Sequence, residues 1–333
     1  MSRGVYKLDD ISVHYDAQEG LVDSVLSRLR GTESKIRAVD GVDLTLRENE
    51  VQGIIGESGC GKSTLLEMMV GLQEPTAGEA YFKERELSWF EEEDWREFRR
   101  DVQMVFQDPF NSLDPKYTVS DVLSEQLNIH DMDDTEARKR EILADVELNP
   151  PGYYLDKYPE ELSGGEKQRV SIARALVVEP DVLLADEPVS MLDVSTQASI
   201  LKLLSTVVRE RDMAMAYISH DISTVSYVCD TVNVMYLGRI VESAPTADIL
   251  GDPKHPYTRA LIQAVPIPDP HIERDRVSVG GDIPDPLNVP TGCRFKDRCP
   301  ERMEACDVAP ETTELSETHQ VACHLHDDSV ANE

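Results

Sequence analysis

The sequence predicts an α/β fold, followed by a small domain rich in proline and cysteine. Three observations support this prediction: short apolar runs that end in polar residues, a glycine-rich loop that opens a helix, and a change to proline-rich composition after residue 250. Apolar runs of about four to eight residues are typical of buried strands, and open α/β sheets hold their ligands at strand ends. The chain of 333 residues is long enough for one large domain and a smaller one.

The charge balance argues against some classes of function. The chain has 64 acidic and 33 basic residues, a net charge of −31, and its acidic residues are spread along its whole length. Nucleic-acid binding is disfavoured because a phosphate backbone requires a concentrated basic face. A well-hydrated acidic surface is typical of a salty cytoplasm, where ions screen the repulsion between like charges. The charge alone therefore predicts a halophilic source.

The hydropathy of the chain predicts where the protein is found. No apolar run approaches the roughly 20 residues that a membrane-spanning helix requires. The N-terminal sequence MSRGVYKLDD lacks the apolar stretch of a signal peptide. Hydrophobic residues make up 40% of the chain, which is enough for a folded core. We therefore expect a folded protein that is made in the cytosol and stays there.

A glycine-rich loop between an apolar strand and a helix is the clearest functional signal. The loop and the first helical residue after it read Gly56-Glu57-Ser58-Gly59-Cys60-Gly61-Lys62-Ser63-Thr64. Glycines allow successive backbone N–H groups to point at one anion, and the helix N-terminus adds its partial positive charge. The alternative is a turn that binds nothing, but the Lys-Ser pair and the strand and helix on either side favour a phosphate site. The loop therefore predicts ATP binding, with Lys62 on the β- and γ-phosphates, Ser63 on Mg²⁺ and Cys60 as a small filler.

Two adjacent carboxylates, Asp186 and Glu187, follow the apolar strand of VLLADEP. Neighbouring side chains on a strand point to opposite faces, so the two acids should have different roles. Asp186 is suited to the Mg²⁺ shell, and Glu187 is suited to act as the general base that orients the attacking water. The alternative for either acid is an ordinary solvated strand end.

Two more polar side chains close apolar strands. His220 follows AMAYIS, and Gln107 lies in QMVFQDP. Because they end strands of the same predicted sheet, both should lie at its ligand-binding edge. His220 is predicted to contact the γ-phosphate and fix the geometry of Glu187, and Gln107 to touch Mg²⁺ or the water. A structural histidine is the alternative for His220.

A second glycine-rich helix start occurs in LSGGEKQRVSIARAL, residues 162–176. Ser163, Gly164 and Gly165 precede a helical apolar pattern, and such a start presents free N–H groups and a hydroxyl to an anion. Within one chain this site is redundant, because the first loop already holds the phosphates. Across a head-to-tail pair of chains it would close the nucleotide from the opposite side. An ordinary N-cap is the alternative.

These motifs together resemble the ATPase subunit of ABC transporters. GESGCGKST, FQDP, LSGGE, LLADEP and SHD occur in that family's order and spacing, over about residues 7–245. The resemblance implies a P-loop NTPase fold of the ABC-ATPase type, with a RecA-like core, an antiparallel β subdomain and a helical signature subdomain at about 108–180. It implies an ATPase domain at 1–250 and an accessory domain at 251–333. An insertion at 17–36 has no assigned role.

The resemblance also assigns site residues and partners. Tyr15 matches the aromatic that stacks on adenine, Leu162 and Glu166 complete the signature motif that meets the partner's ATP, and Asp193 matches the loop at the dimer interface. Met191 departs from the alanine usual in that loop. The implied partners are a second ATPase subunit (identical or homologous), two transmembrane permease subunits and an extracellular solute-binding protein. The implied location is the cytoplasmic face of the cell membrane.

Three stretches resemble the oligopeptide and dipeptide importer branch of that family: VFQDPFNSLDP, HPYTRALIQAVPIPDP and the cysteine tail. The resemblance implies import of di- or oligopeptides, with sugar or nickel as alternative cargo. A soluble ATPase of the same core, in DNA repair or translation, is disfavoured by the absence of inserted coiled coils and by the acidic charge. A third hypothesis makes the tail a metal-binding or redox module in its own right.

The tail carries four cysteines, Cys293, Cys299, Cys306 and Cys323, in a segment with few apolar residues. Disulfides are disfavoured in a reducing cytosol, and zinc sites usually show closer cysteine pairs. Wide spacing of four thiols suits a [4Fe–4S] cluster, and relatives of the dipeptide-importer ATPase with such a cluster strengthen that prediction. Zinc stays as the alternative, and His324 is an alternative ligand to Cys323.

Overall fold

The computed structural model describes residues 4–16, 35–108, 112–264 and 289–327. The strands in chain order are β1 (Gly4–Asp16), β2 (Lys35–Arg47), β3 (Val51–Ile55), β4 (Ala77–Phe82), β5 (Arg85–Glu86), β6 (Val102–Val105), β7 (Val182–Asp186), β8 (Ala214–Ser219), β9 (Thr231–Tyr236), β10 (Arg239–Pro245), β11 (Thr313–Ser316) and β12 (His319–Val321). The helices are α1 (Lys62–Met69), α2 (Glu92–Asp101), α3 (Val119–Ile129), α4 (Glu136–Asp145), α5 (Pro151–Tyr154), α6 (Gly164–Leu176), α7 (Val194–Glu210), α8 (Ile222–Val228), α9 (Thr246–Gly251) and α10 (Pro256–Ala264). Residues 17–34 of the predicted insertion lie outside the described part of the chain.

The larger sheet has eight strands in the order β11-β12-β10-β9-β3-β8-β7-β6. Strands β9, β3, β8, β7 and β6 run parallel to one another, and β10 pairs with β9 in the antiparallel direction. Every residue of β3 and β8 is buried, as expected of parallel strands that are covered on both faces. Because the carboxyl ends of parallel strands meet at one edge, the segments that follow β3, β6, β7 and β8 lie side by side.

The smaller sheet is antiparallel, with strand order β2-β1-β4-β5. Its core is aromatic: Phe82 lies edge-on to Phe98 of α2, and Tyr6 contacts both rings. The buried Tyr6 hydroxyl donates a hydrogen bond to the Met69 carbonyl at the end of α1 (3.0 Å). This sheet therefore holds the C-terminal end of the helix that the glycine-rich loop opens.

Helices α3 to α6 are inserted in the chain between β6 and β7. Helix α3 begins at a capping box, in which Thr118 and Asp121 satisfy each other's backbone N–H groups. The buried faces of α3, α4 and α6 join one hydrophobic cluster with β7 and β8. The predicted helical subdomain is thus present, and it packs on the core rather than standing apart from it.

The strands described after residue 251 belong to the larger sheet. The hairpin β11–β12 pairs with β10 through Glu242 opposite Val321, which extends the main sheet at its edge. Cys293, Phe295 and Cys306 belong to the same hydrophobic cluster as the parallel strands. The domain boundary near 251 stays a prediction from composition, while the described tail shares the core of the rest of the chain.

No helix within the described ranges combines the length and the apolar character needed to cross a bilayer.

Candidate functional site

The glycine-rich loop joins β3 to α1 and is shaped by its glycines. Gly61 has a φ of 107°, in the left-handed region, and a Cβ at this position would lie 1.9 Å from the Ala38 carbonyl oxygen. A side chain at Gly56 would lie 2.1 Å from the Met235 carbonyl oxygen. Both contacts forbid any other residue, so the loop is pressed against the start of β2 and the end of β9. The Lys62 ammonium donates to the carbonyls of Gly56 (2.8 Å) and Glu57 (3.0 Å).

The remaining loop residues are placed as a phosphate site requires. The cavity above the loop has a volume of about 530 Å³ and is lined by Ser58, Gly59, Gly61, Lys62, Ser63, Thr64, Gln107, Asp186, Glu187 and His220, among others. Cys60 is buried and faces inward, where burial raises the pKa of its thiol. A buried thiol with a raised pKa is a weak nucleophile, which is consistent with the prediction that Cys60 is a small filler.

Asp186 ends β7 beside the start of α1. Burial raises the pKa of its carboxyl group, while a hydrogen bond with the Ser63 hydroxyl favours the charged form. The two side chains supply a carboxylate and a hydroxyl oxygen at the cavity wall, which are the hard donors that Mg²⁺ prefers. The predicted Mg²⁺ ligands Ser63 and Asp186 therefore fit the ion.

Glu187 is held between two side chains from other strands. Its carboxylate accepts a hydrogen bond from Gln107 Nε2 (3.1 Å) and lies 2.9 Å from His220 Nδ1. Its backbone has a φ of 44°, in the left-handed region, which is uncommon for a residue other than glycine. His220 is therefore in contact with Glu187, and its predicted role of fixing the geometry of Glu187 stays a prediction. Gln107, predicted to touch Mg²⁺ or water, contacts the carboxylate of Glu187.

Tyr15, the predicted adenine-stacking residue, lies near the other end of the cavity. It is opposite Ile36 in the β1–β2 pairing, and Ile36 lines the cavity together with Arg37 and Ala38. Its ring is partly buried against the hydrophobic core of the smaller sheet. Its stacking role stays a prediction.

The signature residues form the N-terminus of α6 and do not line the cavity of their own chain. Ser163 and Glu166 form a capping box: the Glu166 carboxylate accepts from the Ser163 N–H (2.8 Å) and hydroxyl (2.7 Å). Leu162 is buried, whereas the Ser163 side chain is exposed and the two glycines are half-buried. The exposed polar groups at this helix start are thus outside the nucleotide cavity of the same subunit.

Gly165 brings the signature helix against the loop that carries Asp193. A Cβ on Gly165 would lie 2.7 Å from Thr196 Cγ2, so α6 and the start of α7 approach closely only because this residue is glycine. Asp193 caps α7 by accepting hydrogen bonds from the N–H groups of Ser195 and Thr196 (3.1 Å each). The predicted interface residues therefore lie on one continuous surface.

The metal prediction for the tail is not supported. Within residues 4–16, 35–108, 112–264 and 289–327, no group of three or more His, Cys, Asp or Glu side chains is arranged to hold a metal ion. The four thiols lie in one neighbourhood, but burial raises the pKa of Cys293 and Cys299, and raises that of Cys323 to about 12. The described residues therefore give no support to the [4Fe–4S] cluster or to the zinc alternative.

Sequence reasoning missed several residues that contact the site from the C-terminal segment. Val289 lines the nucleotide cavity. Tyr257 accepts a hydrogen bond from the backbone N–H of Glu57 (2.9 Å), and the Arg298 guanidinium binds the Glu57 carboxylate through both terminal nitrogens (2.7 and 2.9 Å). The HPY pattern singled out Tyr257 as a family feature, but no sequence signal indicates that it reaches the phosphate loop.

Two family models match the chain. The model described as ABC transporter matches residues 39–190, and the model described as oligopeptide/dipeptide transporter, C-terminal region, matches residues 241–306. The chain therefore belongs to the ABC transporter family of ATP-hydrolysing subunits, and the predicted ABC-ATPase fold is confirmed.

Within that family the chain is similar over nearly its full length to peptide-transport proteins. It is 40% identical to the oligopeptide transport ATP-binding protein AppF of Bacillus subtilis, with 97% of each chain covered. It is also 40% identical to the oligopeptide transport ATP-binding protein OppF of Salmonella typhimurium, with 95% of each covered.

Solved structures show the same architecture. A dimeric ATP-binding cassette in a post-hydrolysis state, bound to ADP and phosphate, matches with a TM-score of 0.61 and 28% identity, covering 72% of this chain and 98% of the other. The cbiO1 protein of Clostridium perfringens, part of an ABC transporter complex, matches with a TM-score of 0.62 and 28% identity, covering 75% of this chain and 91% of the other.

The segment that carries the four cysteines lies near the end of the chain, beyond the ABC transporter match at residues 39–190.

Proposed function

We propose that this chain is the ATP-hydrolysing, energy-coupling subunit of an importer of di- or oligopeptides, located at the cytoplasmic face of the cell membrane. The observation that carries the proposal is the convergence of Gln107, Glu187 and His220 on the cavity above the phosphate loop. The similarity to the two oligopeptide transport proteins and the C-terminal family model support peptides as the cargo.

The geometry supports a hydrolytic mechanism. Lys62 and the loop N–H groups would bind the phosphates, and Ser63 and Asp186 would hold Mg²⁺, which would neutralise charge on the phosphate oxygens. Glu187 is the general base that takes a proton from the attacking water. His220 and Gln107 keep its carboxylate in place from two sides, so that its position does not depend on a single contact.

The second half of the nucleotide site comes from a second ATPase subunit, identical or homologous. Ser163, Gly164 and Gly165 are turned away from their own cavity, although they present the donors of a helix start. In a head-to-tail dimer they would meet the γ-phosphate held by the partner. The dimeric cassette among the structural relatives supports this arrangement. Two permease subunits and an extracellular solute-binding protein complete the proposed transporter.

The test of this proposal is nucleotide-dependent dimerisation. Glu187→Gln removes the base but keeps the size of the side chain and one acceptor oxygen, so MgATP should convert the full chain from monomer to dimer, measured by light scattering during gel filtration. Ser163→Arg in the same background should block dimerisation, because a large cation replaces the hydroxyl at the interface. The control is Ser88→Arg, which places the same charge on an exposed serine after β5.

Two results would contradict the proposal. One is a Glu187→Gln protein that binds MgATP and stays monomeric. The other is a Ser163→Arg protein that dimerises as well as the Ser88→Arg control. A halophilic source, inferred from charge, is a separate proposal; it predicts that dimerisation and stability both increase in molar salt.

A further inference from the structure

Glu57, the second residue of the phosphate loop, has all its polar groups engaged. Its carbonyl accepts hydrogen bonds from the Lys62 ammonium (3.0 Å) and the Cys60 N–H (3.3 Å), which are contacts within the loop. Its backbone N–H donates to the Tyr257 hydroxyl (2.9 Å), and its carboxylate accepts two hydrogen bonds from Arg298. Half of its partners therefore belong to the loop, and the other half come from more than 190 residues further along the chain.

The Arg298 contact has the geometry of a strong ion pair. Both terminal nitrogens bind the two carboxylate oxygens, and the side chains of Arg298 and Glu57 are only 10% and 24% exposed. The guanidinium also lies 5.8 Å from the ring centroids of Tyr236 and Phe295. These rings and Tyr257 pack against one another, with centroids 4.6 to 5.4 Å apart. The aromatic rings therefore help to fix the orientation of the Arg298 guanidinium that binds Glu57.

A second arginine from the same turn holds another wall of the cavity. Arg294 donates to the Leu237 carbonyl and to the Asp40 carboxylate. Leu237 and Gly238 line the nucleotide cavity, and the Gly238 N–H donates to the Cys60 carbonyl inside the phosphate loop (2.8 Å). The turn at residues 293–298 therefore contacts the loop directly through Arg298, and indirectly through the strand end that supports it.

We propose that Arg298 and Tyr257 are positioning residues for ATP binding, through which the C-terminal segment holds Glu57 and neutralises its charge, and so sets the affinity of the phosphate loop for nucleotide. This proposal rests on ATP binding at the loop. It does not depend on the cargo or on the direction of transport.

The physical reason is the sign of the charge beside the phosphates. ATP brings several negative charges to a loop whose second residue is itself a carboxylate. With Arg298 bound, the charge of Glu57 is compensated; without it, a half-buried carboxylate is left unpaired one residue before Ser58, which lines the cavity, and Coulomb interactions there are stronger than in water. Tyr257 also restrains the backbone at the start of the loop, because its hydroxyl accepts a hydrogen bond from the Glu57 N–H.

The test compares Arg298→Ala, Arg298→Lys and the double variant Glu57→Gln/Arg298→Ala in the full chain. ATPase rates over a range of MgATP concentrations give KM and kcat, and titration with MgADP gives a dissociation constant that needs no turnover. We expect Arg298→Ala to raise KM and the MgADP dissociation constant roughly tenfold, with kcat at saturating ATP changed less than about twofold. Arg298→Lys should lose less affinity, because a single ammonium keeps the charge without the bidentate geometry.

The double variant separates electrostatics from packing. Glu57→Gln removes the carboxylate that Arg298→Ala leaves uncompensated, so the double variant should recover most of the lost affinity. Tyr257→Phe keeps the ring packing and removes only the hydroxyl, and it should raise KM roughly threefold. The control is Arg302→Ala, which removes an exposed arginine paired with Asp297 and Asp307 and should leave KM unchanged.

Three outcomes would overturn the proposal. Arg298→Ala and Tyr257→Phe proteins with the KM of the Arg302→Ala control would show that the contact does not reach the nucleotide. An Arg298→Ala protein with a lower thermal midpoint but unchanged MgADP affinity would show that the contact only stabilises the fold. A double variant as impaired as Arg298→Ala would show that the charge of Glu57 is not the cause. A chain with normal MgADP affinity but no turnover would contradict the proposed hydrolytic function and leave this inference intact.

Discussion

The catalytic edge of the sheet and the C-terminal segment use the same kinds of side chain in opposite ways. At the catalytic edge, Glu187 is held by Gln107 and by a His220 whose side chain is 63% exposed. In the C-terminal segment, the Glu242 carboxylate is fully buried and bound to the backbone N–H groups of Lys254 (2.7 Å) and His255 (2.9 Å). The first arrangement leaves polar groups available to a substrate, whereas the second leaves none available.

This contrast indicates which region contributes to catalysis and which contributes to stability. A carboxylate that opens onto a cavity and is held by an exposed partner can exchange partners during a reaction, while a buried carboxylate with all its partners fixes the geometry around it. Substitutions at the catalytic edge should therefore change turnover and spare stability. Substitutions in the C-terminal segment should change stability and spare the chemical step.

The largest expected effect is that of His220→Ala. The substitution frees one side of the Glu187 carboxylate, and loss of a group that positions a general base typically costs on the order of a hundredfold or more in rate. We expect kcat to fall by about that factor, with MgADP affinity and thermal midpoint close to those of the unmodified chain. Steady-state ATPase assays and calorimetric melting measure both quantities. A large fall in the thermal midpoint would contradict the proposed difference between the two regions, because it would show that the catalytic edge also stabilises the fold.

The next largest effect is that of Glu242→Gln, on stability. An amide keeps the size of the side chain but can accept with only one oxygen, so a backbone N–H of Lys254 or His255 loses its partner, and the contact with His319 Nε2 (2.9 Å) loses its charge. We expect a loss of about 3 kcal/mol in the free energy of unfolding, within the range seen when one partner of a buried charged network is removed. Denaturant unfolding measures the change.

The control for this substitution is Glu314→Gln, which alters an exposed residue of β11 and should change stability by less than about 0.5 kcal/mol. If Glu242→Gln lowers kcat at a temperature where the chain stays folded, the division of labour between the two regions is wrong.

The smallest effect, and the one that sharpens the comparison most, concerns the pH dependence of stability. His255 is 1% exposed, and burial, helped by Arg259 and His326, lowers its pKa to about 3. The Nδ1 atom accepts a hydrogen bond from the Tyr257 N–H (3.0 Å), which also requires the neutral ring. Below the usual histidine pKa of about 6.5 the unfolded chain binds a proton that the folded chain excludes, so the folded state loses stability as pH falls.

His255→Asn tests this sign. Asparagine keeps an acceptor at the start of α10 and does not titrate, so the variant should be less stable at pH 7 but lack the histidine contribution to the pH slope. Between pH 6 and 4 that contribution is about 1.4 kcal/mol per pH unit at most. Chemical denaturation at several pH values measures both slopes. Equal slopes in the two proteins would contradict this, because they would show that His255 binds its proton as readily in the folded chain as in the unfolded one.

Much of the catalytic edge was predictable from the sequence. The loop at 56–63, the acid pair and His220 each follow an apolar strand, and parallel strands carry whatever follows them to the same edge. The relation of His220 to Glu187 followed from that rule. The contact of Gln107 with Glu187 was not predicted, because sequence order shows that side chains converge but not which of them touch; its contact with Mg²⁺ or water stays a prediction.

The C-terminal segment was predictable only in its composition. Four cysteines and a proline-rich stretch suggested a metal-stapled domain standing apart, whereas the described hairpin β11–β12 extends the main sheet and Cys293 lies in the common core. Spacing along a chain does not determine the distances between thiols once tertiary packing buries them. The contact of Arg298 with Glu57 crosses 241 residues, and no local pattern marks it.

The sequence by itself determined the nucleotide loop, the order of the catalytic groups and the family. Each of these depends on short segments whose local structure follows from their own residues. Only the tertiary structure decided what surrounds that loop: an arginine and a tyrosine from the far end of the chain hold its second residue. The physical reason is that backbone curvature and strand-end position are local properties, whereas the partner of a half-buried charge is chosen by the packing of the whole chain.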